Sequence, residues 1–396
     1  MGESTRVRAV TLFSRGDARR VTTWSGLPLG CAQALETAGV TVHRVDLSPG
    51  PWAQGLIRQI SRLHRWWPAV SGWRPDKGVA ETLVLSFSAR RKIATACRQY
   101  PDSQCNVFMT YSFSSRRLSD LPVVHYCDQC YAELLESIGQ SRLSWAERVR
   151  LREEKGALRR ADLLIATNLH CIDFLRERYG LENVFPEPVY GMSLVGYRGR
   201  PLAQLESKRQ STDIVFVGTS VKGRGLDLLL EAFREFNRAV GGHYTLHIVG
   251  FEKDAVPGEW PSTRWYGRLD KDDPAQASVY WSLIDAARMF VIPSRSGPLP
   301  GVILEAQYLG TPVITTSAWR VEQIVQDGET GLVIDEPTPE SVFGAMLRLA
   351  SDDGLWDDLA LKGHEMARGW LWEQAAAVLI EQLTRVAPGS SLARDP

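Results

Sequence analysis

Short apolar runs alternate with amphipathic stretches along the whole chain. In the first half, apolar runs of strand length lie at residues 7–13, 41–47, 107–110, 122–126 and 163–167. Between the first two runs, Cys31, Ala34, Leu35 and Ala38 recur at helical spacing, and Gly39 ends that helix. Strands without polar alternation are buried on both faces, as in a parallel sheet that helices cover on each side. The pattern therefore predicts an α/β domain.

The second half repeats this alternation. It contains predicted parallel strands at residues 213–217, 245–249, 289–292, 312–315 and 332–334. Ser144 with Glu147 forms a capping box before a helix of the first half, and Thr338 followed by Pro339 marks a helix start in the second. The polar stretch 196–212 is interpreted as a linker. We expect two Rossmann-like domains, residues 1–200 and 212–369, that face each other across a ligand-binding cleft.

The composition agrees with two globular domains. A chain of 396 residues is too long for one ordinary core. Its 46 basic and 46 acidic residues cancel, so charge gives no reason to expect nucleic acid as a partner. No apolar run approaches the ~18 residues that span a bilayer, and Arg6 and Arg8 are followed by a predicted strand instead of the apolar region and cleavage site of a signal peptide. Six scattered cysteines indicate a reducing compartment, most simply the cytoplasm.

One pair of cysteines, Cys127 and Cys130, has the spacing of zinc and redox motifs. Zinc would require two further ligands at comparable spacing, and the other cysteines are not paired. We interpret the pair as incidental and expect no metal site.

A loop rich in glycine and proline precedes an apolar helix in the second half. It runs through Gly297, Pro298, Leu299, Pro300, Gly301 and Val302 toward a single carboxylate, Glu305. Free backbone N–H groups at a helix start favour a negative ligand, and a carboxylate one turn later is placed to accept bonds from the two hydroxyls of a ribose. Together they indicate a nucleoside diphosphate site. The alternative is an ordinary loop of a doubly wound sheet.

A second loop, residues 218–225, connects a predicted strand to the helix beginning at Leu226. Lys222 and Arg224 flank Gly223 just before that helix, where cations oppose the positive end of the dipole unless an anion lies between them. A diphosphate is the natural anion, and Gly218 and Thr219 open the same candidate binding loop. The alternative is a solvated basic loop.

These two loops, with the segment from Glu322 through Asp327-Gly328-Glu329-Thr330-Gly331-Leu332, resemble the donor-binding half of the family-4 (group 1) glycosyltransferases, which have the GT-B fold. The segment Gly369-Trp370-Leu371-Trp372-Glu373 is similar to the one that begins the family's helix crossing back onto the N-terminal domain, so residues 370–396 are expected to pack there. The first half resembles the family at residues 24–30, 122–128 and 158–162, so the resemblance spans most of the chain.

The resemblance implies roles for individual residues of the second half. Arg224 matches the family's lysine that holds the donor diphosphate, and Thr219 replaces the accompanying arginine, a loss that Lys222 is placed to compensate. Glu305 matches the glutamate that binds the donor ribose. Gly297 stands where the family has a second glutamate for the sugar hydroxyls, and this departure bears on donor identity and on activity.

The first half contains candidates for the chemistry. A family histidine near the reacting carbon falls at or near Cys127, and His125 lies two residues earlier on the same strand face. Asp128, at the strand end, is a candidate to orient the acceptor hydroxyl or balance charge at the anomeric carbon. The alternatives are a packed strand residue for His125 and a helix N-cap for Asp128. Gly26 and Gly30 lie in the first βα loop, which is expected to close over the donor.

The segment 52–73, from Trp52 to Trp73, has the pattern of a basic amphipathic helix with interfacial tryptophans. Its apolar stripe is Leu56, Ile57, Ile60, Leu63 and Trp67, and the opposite side carries Arg58, Arg62 and Arg65. Such a helix suits an anionic membrane surface. The alternative is a helix packed on its own domain.

The expected function is transfer of a sugar from a nucleoside diphosphate donor to an acceptor hydroxyl. The resemblance implies a hexosyltransferase that retains the anomeric configuration and needs no metal or other cofactor. The acceptor would be a glycan, a lipid-linked sugar or a small molecule in envelope glycan, glycolipid or other glycoconjugate biosynthesis, reached from the cytoplasm or the inner membrane face. Gly297 and Thr219 motivate one alternative, a non-catalytic glycosyltransferase-like subunit. A nucleotide-sugar epimerase is the other, and Gly297 argues against it because such an enzyme needs acid and base carboxylates at the sugar.

Overall fold

The structure, a computed structural model, describes residues 6–66 and 77–388, and the chain forms two compact units. Unit 1 comprises Met1–Gly191 and Trp372–Pro396, and unit 2 comprises Met192–Leu371. Each unit is built around its own parallel sheet, which matches the α/β organisation predicted from the apolar pattern.

Within the described residues, the sheet of unit 1 has five parallel strands in the order β2-β1-β3-β4-β5. Their bounds are β1 (Ala9–Ser14), β2 (Thr41–Asp46), β3 (Cys105–Met109), β4 (Val123–Cys127) and β5 (Leu163–Ala166). The strands β1, β3 and β4 are buried along their whole length, which explains their unbroken apolar runs.

Helices cover both faces of this sheet. The first six are α1 (Leu27–Thr37), α2 (Pro51–Trp66), α3 (Lys77–Gln99), α4 (Tyr131–Ser137), α5 (Trp145–Leu158) and α6 (Leu169–Asp173), and a π-helical turn follows at Phe174–Arg178. Leu35 of α1 packs in one core cluster with Leu12, whereas Ile93 of α3 packs in another with Phe13. Neighbouring residues of β1 therefore serve opposite faces, as the strand geometry requires. No helix in the described parts of the chain is long and apolar enough to cross a bilayer.

The sheet of unit 2 has, in the described chain, six parallel strands in the order β11-β10-β9-β6-β7-β8. Their bounds are β6 (Asp213–Val217), β7 (Thr245–Val249), β8 (Thr263–Trp265), β9 (Met289–Ile292), β10 (Val313–Thr316) and β11 (Leu332–Ile334). The sequence pattern gave β6, β7, β9 and β11 their observed bounds and placed β10 one residue early. It missed β8, a three-residue edge strand with an exposed central residue, because so short a strand has no apolar run.

The helices of unit 2 are α7 (Leu205–Arg209), α8 (Val221–Arg224), α9 (Leu226–Ala239), α10 (Pro274–Ala286), α11 (Val302–Tyr308), α12 (Pro339–Ser351) and α13 (Asp353–Arg368). Helix α9 buries Leu226, Leu229, Leu230, Phe233 and Phe236, which recur at helical spacing, and packs against α12. The predicted caps are confirmed, because Ser144 accepts from the N–H of Glu147 and Thr338 accepts from the N–H of Ser341.

The stretch 196–212 is not a free linker, which corrects the sequence interpretation, because it is anchored in unit 2. The ring of Tyr197 packs against that of Trp281, with 5.5 Å between the ring centres. The buried ammonium of Lys208 bonds the carbonyl of Leu309 and lies 3.1 Å from Asp285. Burial lowers the pKa of Lys208 to about 8, and the Asp285 carboxylate opposes this shift. The polar composition of residues 196–212 gives no indication of these buried bonds in the sequence.

The last helix, α14 (Trp372–Val386), belongs to unit 1 and packs on α1. The indole of Trp372 fills a slot between two glycines. A Cβ at Gly30 would lie 2.0 Å from its Nε1, and a Cβ at Gly191 would lie 2.1 Å from its Cδ2. Both glycines are therefore required for the docking of this helix.

We expect Gly30→Ala to lower the free energy of unfolding of unit 1 by about 1–3 kcal/mol, because the new methyl group overpacks the Trp372 slot. Gly55→Ala is the matched control. Gly55 also lies in a helix of unit 1 but has nothing within 4 Å of its Cβ position, so alanine should raise the stability by about 0.5–1 kcal/mol. Urea unfolding followed by circular dichroism measures both. If the two substitutions changed the free energy of unfolding equally, the packing of Trp372 against Gly30 would not be the cause.

Candidate functional site

Two loops of unit 2 meet at the carboxyl ends of neighbouring strands. One follows β6 and the other follows β9, and the strand order reverses here because β7 lies on the far side of β6. The N–H groups of Arg295 and Ser296 in the second loop both donate to the carbonyl of Gly223 in the first, at 2.8 and 3.1 Å. Such a switch point is where parallel α/β sheets bind ligands.

Glycine allows the close approach of the two loops. Gly225 has φ +75°, ends α8 and begins α9. A Cβ at this position would lie 2.0 Å from the carbonyl oxygen of Pro293. Gly250, which follows β7, approaches the first loop equally closely. A Cβ at Gly250 would lie 1.8 Å from the carbonyl oxygen of Gly218. These two close approaches therefore require glycine at Gly225 and at Gly250.

The two predicted cations of the first loop have different environments. Arg224 is half-buried, and its Nη1 donates to the carbonyl of Pro298 in the second loop at 2.9 Å. Lys222 and Thr219 are exposed. Arg295 adds a third cation that the sequence analysis missed: its Nε bonds the carbonyl of Lys222, and its Nη2 pairs with Asp227 in the first turn of α9.

Gly297 cannot simply be a glutamate position that lost its side chain. Its φ is +95°, a left-handed conformation that residues with a Cβ rarely adopt. A Cβ there would lie 3.6 Å from the guanidinium carbon of Arg224. In the same loop Pro300 is buried, Gly301 is the N-cap of α11, and Val302 is its first residue.

Glu305 is buried in α11 and already has partners. Its two carboxylate oxygens each lie 2.9 Å from the ammonium of Lys271, and Oε2 also accepts from the hydroxyl of Tyr280 at 2.5 Å. The Lys271 ammonium is 3.8 Å from the centre of the Tyr280 ring and 4.7 Å from that of Trp281. A carboxylate offers about four lone-pair positions, and three are used here. Bidentate ribose binding therefore requires Lys271 to move.

The structure places the candidates of unit 1 in separate elements. Gly26 has φ +83° and is the N-cap of α1, after Trp24 and Ser25, which also have positive φ. Three consecutive left-handed residues make a tight, strained turn. Gly30 lies inside α1 against Trp372 and not in the loop, which corrects its assignment as a donor-binding residue.

His125 is unsuited to acid–base catalysis, which corrects its assignment as catalytic. It is fully buried in β4, and its Nδ1–H donates to the carbonyl of Thr110 at 2.5 Å. Burial lowers the pKa of His125 to about 4, and the bond to Thr110 opposes the shift. The aromatic ring of Phe108 packs 5.4 Å away. His125 is therefore a neutral core residue.

Asp128 is half-buried just after β4, at the carboxyl end of the sheet. The N-cap of α4 is Cys130, so the alternative that Asp128 caps this helix is wrong. The Asp128 carbonyl accepts from Asn168 Nδ2 at 2.8 Å, which fixes its main chain.

Among the described residues no group of three His, Cys, Asp or Glu side chains is arranged to hold a metal.

Comparison with known proteins agrees with this geometry. Residues 211–352, which contain both loops, Lys271 and Glu305, match the family described as Glycosyl transferases group 1. The matched residues all lie within unit 2. The resemblance inferred from the two loops is thereby confirmed.

The chain is also similar to individual curated proteins and to solved structures. The lipopolysaccharide core biosynthesis glycosyltransferase LpsE of Rhizobium meliloti is 29% identical over 192 residues, 47% of this chain and 53% of LpsE. The chain spans about half the length of the curated relatives it matches. Sucrose-phosphate synthase of Thermosynechococcus elongatus has a TM-score of 0.70 at 19% identity, over 96% of this chain and 98% of that one.

A third similar protein is HepE of Anabaena, solved in complex with UDP-glucose. It has a TM-score of 0.62 at 14% identity, over 94% of this chain and 99% of that one. At these identities the solved structures establish the fold alone, and the predicted GT-B fold is confirmed.

Replacing Lys271 by alanine is expected to strengthen binding of a nucleoside diphosphate by up to about tenfold, because the ribose no longer competes with the ammonium for Glu305. Replacing Glu305 by alanine should weaken binding by about 10- to 150-fold. Calorimetric titration with UDP measures both changes. The 2′,3′-dideoxy analogue, which lacks the diol, is the control and should not respond to the Lys271 substitution. A weaker UDP complex in the Lys271 variant would show that this cation supports the ribose.

Proposed function

We propose that the protein transfers a sugar from a nucleoside diphosphate donor to an acceptor hydroxyl, with retention of the anomeric configuration. The main observation behind this proposal is that Arg224 bonds the loop that leads to Glu305, at the switch point of the sheet and within the residues that match the group 1 family. A cation bonded to the loop that precedes α11 and a carboxylate in the first turn of that helix match the diphosphate and ribose of one ligand. The HepE complex with UDP-glucose supports a donor of this class.

In the proposed reaction the diphosphate is the leaving group, and its negative charge grows as the glycosidic bond breaks. Arg224 and Lys222 stabilise that charge, together with the positive end of α9. Because these cations belong to the chain, the proposed mechanism needs no metal or other cofactor. The departing phosphate accepts the proton of the acceptor hydroxyl, so no dedicated base is required, in keeping with the neutral, buried state of His125. Asp128 remains the candidate for orienting the acceptor.

The proposed acceptor belongs to envelope glycan, glycolipid or other glycoconjugate synthesis. The similarity to a lipopolysaccharide core enzyme favours this class. We also propose that the protein works in the cytoplasm and contacts the inner face of the membrane through α2. Arg58 and Arg62 are exposed on that helix, and so is Leu56, which is absent from the core clusters of unit 1. The predicted residues Trp67 and Trp73 lie outside the described part of the chain.

A non-catalytic subunit remains the second candidate function, because Gly297 supplies no carboxylate and Thr219 no cation. A panel of sugar nucleotides separates the two. If the protein transfers a sugar, one sugar nucleotide should raise the melting temperature of the protein. The same sugar nucleotide should then be consumed while a glycosylated product forms. A donor that binds and is never consumed would favour the subunit. If no nucleotide changes the melting temperature of the protein, both functions are contradicted.

We expect Arg224→Gln to weaken UDP binding by about 10- to 150-fold, because it removes a partly buried, charge-assisted contact. Lys222→Gln should cost less, since an exposed cation contributes about 0.2–1 kcal/mol, and the double variant should lose more than either. Uridine, which has no phosphate, should bind all variants alike. Arg348→Gln, which removes an exposed charge on α12, is the matched control. Parallel losses for uridine and UDP would show that the loop is structural.

A further inference from the structure

Unit 1 contains a cavity of about 400 Å³ that the proposed sugar transfer does not use. It lies between the carboxyl half of the edge strand β2, the beginning of α2 and the C-terminal half of α3. A volume of about 300–1,000 Å³ is typical of small-ligand sites. The cavity can therefore hold a headgroup-sized molecule.

The charged residues in the walls of the cavity are mostly cationic. Arg44, Arg91 and Lys92 line it, against one carboxylate, Asp46. Asp46 is engaged, because its Oδ1 accepts from the N–H groups of Gly16 and Ser48.

None of the three cations is bonded to Asp46's carboxylate. Arg44 forms a two-pronged pair with Glu36, and Lys92 donates to the carbonyls of Asp46 and Ser48, at 2.7 Å each. The exposed guanidinium of Arg91 has no side-chain partner among the described residues. The lining therefore favours an anion.

Two buried polar atoms of the lining residues also lack partners within the described chain. Ser88 is 2% exposed and lines the cavity, and its Oγ makes no hydrogen bond. The Nε of Arg44 is buried and unpaired as well. Leaving such groups unbonded is unfavourable. Both residues line the cavity, and their unpaired donor groups favour a ligand with several acceptor oxygens, such as a phosphate, over a cation.

The cavity opens beside an apolar surface. Trp52 lines it and is 46% exposed, and its ring meets that of Phe87 edge to face at 6.1 Å. Phe87, Leu83 and Leu56 are 61, 55 and 40% exposed, on the adjoining helices α3 and α2. A cationic cavity beside exposed aromatic and aliphatic side chains matches an amphiphile with an anionic head.

We propose that this cavity binds the phosphate headgroup of an anionic membrane lipid, whose chains contact Trp52 and Phe87. The proposal rests on the proposed membrane contact of α2 and gives that contact a specific site. It extends the contact to α3, a helix that the sequence analysis did not predict. Lipid binding at this site would hold unit 1 at the membrane independently of the nucleotide loops of unit 2.

Co-sedimentation of the full chain with vesicles of phosphatidylcholine and phosphatidylglycerol tests the proposal. Thr95 is an exposed residue of the cavity wall, and Thr95→Trp fills the cavity without changing the charge. If the headgroup enters, this variant should bind at least about tenfold more weakly. If the protein merely adsorbs to the surface, the added tryptophan should strengthen binding.

Arg91→Gln should also weaken vesicle binding by about tenfold or more. Arg90→Gln is the matched control: it removes the same charge from the neighbouring residue, which pairs with Glu153 and does not line the cavity. Loss of a general surface cation costs about fivefold or less. Glycerol 3-phosphate should compete with the vesicles in the wild type.

Two results would overturn the lipid site. Vesicle binding that Thr95→Trp leaves unchanged or strengthens would leave α2 as a surface contact without a cavity ligand. Failure of the wild type to bind vesicles would remove the membrane contact as well. If glycerol 3-phosphate then still bound, and Thr95→Trp abolished it, the ligand would be a soluble phosphate and not a lipid. Neither result bears on sugar transfer, which is measured by consumption of a sugar nucleotide with formation of a glycosylated product.

Discussion

The close contact between the loops after β6 and β9 determines the architecture of the candidate site. In a parallel sheet both loops leave from the same edge, and here the strands are neighbours. The carbonyl of Gly223 accepts two N–H groups of the opposite loop, and Gly225 passes the carbonyl of Pro293 at a distance that no other residue allows. This contact brings Arg224 onto the loop that leads to Glu305.

Charge pairing then explains how this site accommodates a buried carboxylate. A carboxylate as buried as Glu305 requires a partner, and Lys271 supplies it from the loop before α10, while Tyr280 completes the arrangement. Lys271 rests against two aromatic rings and so has a defined position without a ligand. Binding of a ribose at Glu305 is consequently an exchange of partners. The nucleotide affinity is set by the difference between the two arrangements.

The sequence predicted the fold well because buried parallel strands leave continuous apolar runs, and four strands of unit 2 have their predicted bounds. It predicted the loops containing Arg224 and Glu305 because glycine and proline mark tight turns. It could not predict Lys271, which lies 34 residues before Glu305 and has no local motif. The errors have a common cause, because composition and motif position do not reveal tertiary contacts. Gly30 packs against Trp372, His125 is buried beside Phe108, and the stretch 196–212 is held by the buried bonds of Lys208.

The central claim is that the two joined loops of unit 2 bind a nucleoside diphosphate. A crystal structure of the full chain with UDP tests it most directly. The account predicts that both ribose hydroxyls bond Glu305 in place of Lys271, with the diphosphate at Arg224 and the beginning of α9. UDP bound away from these loops, or a ribose that leaves Lys271 on both oxygens of Glu305, would contradict it.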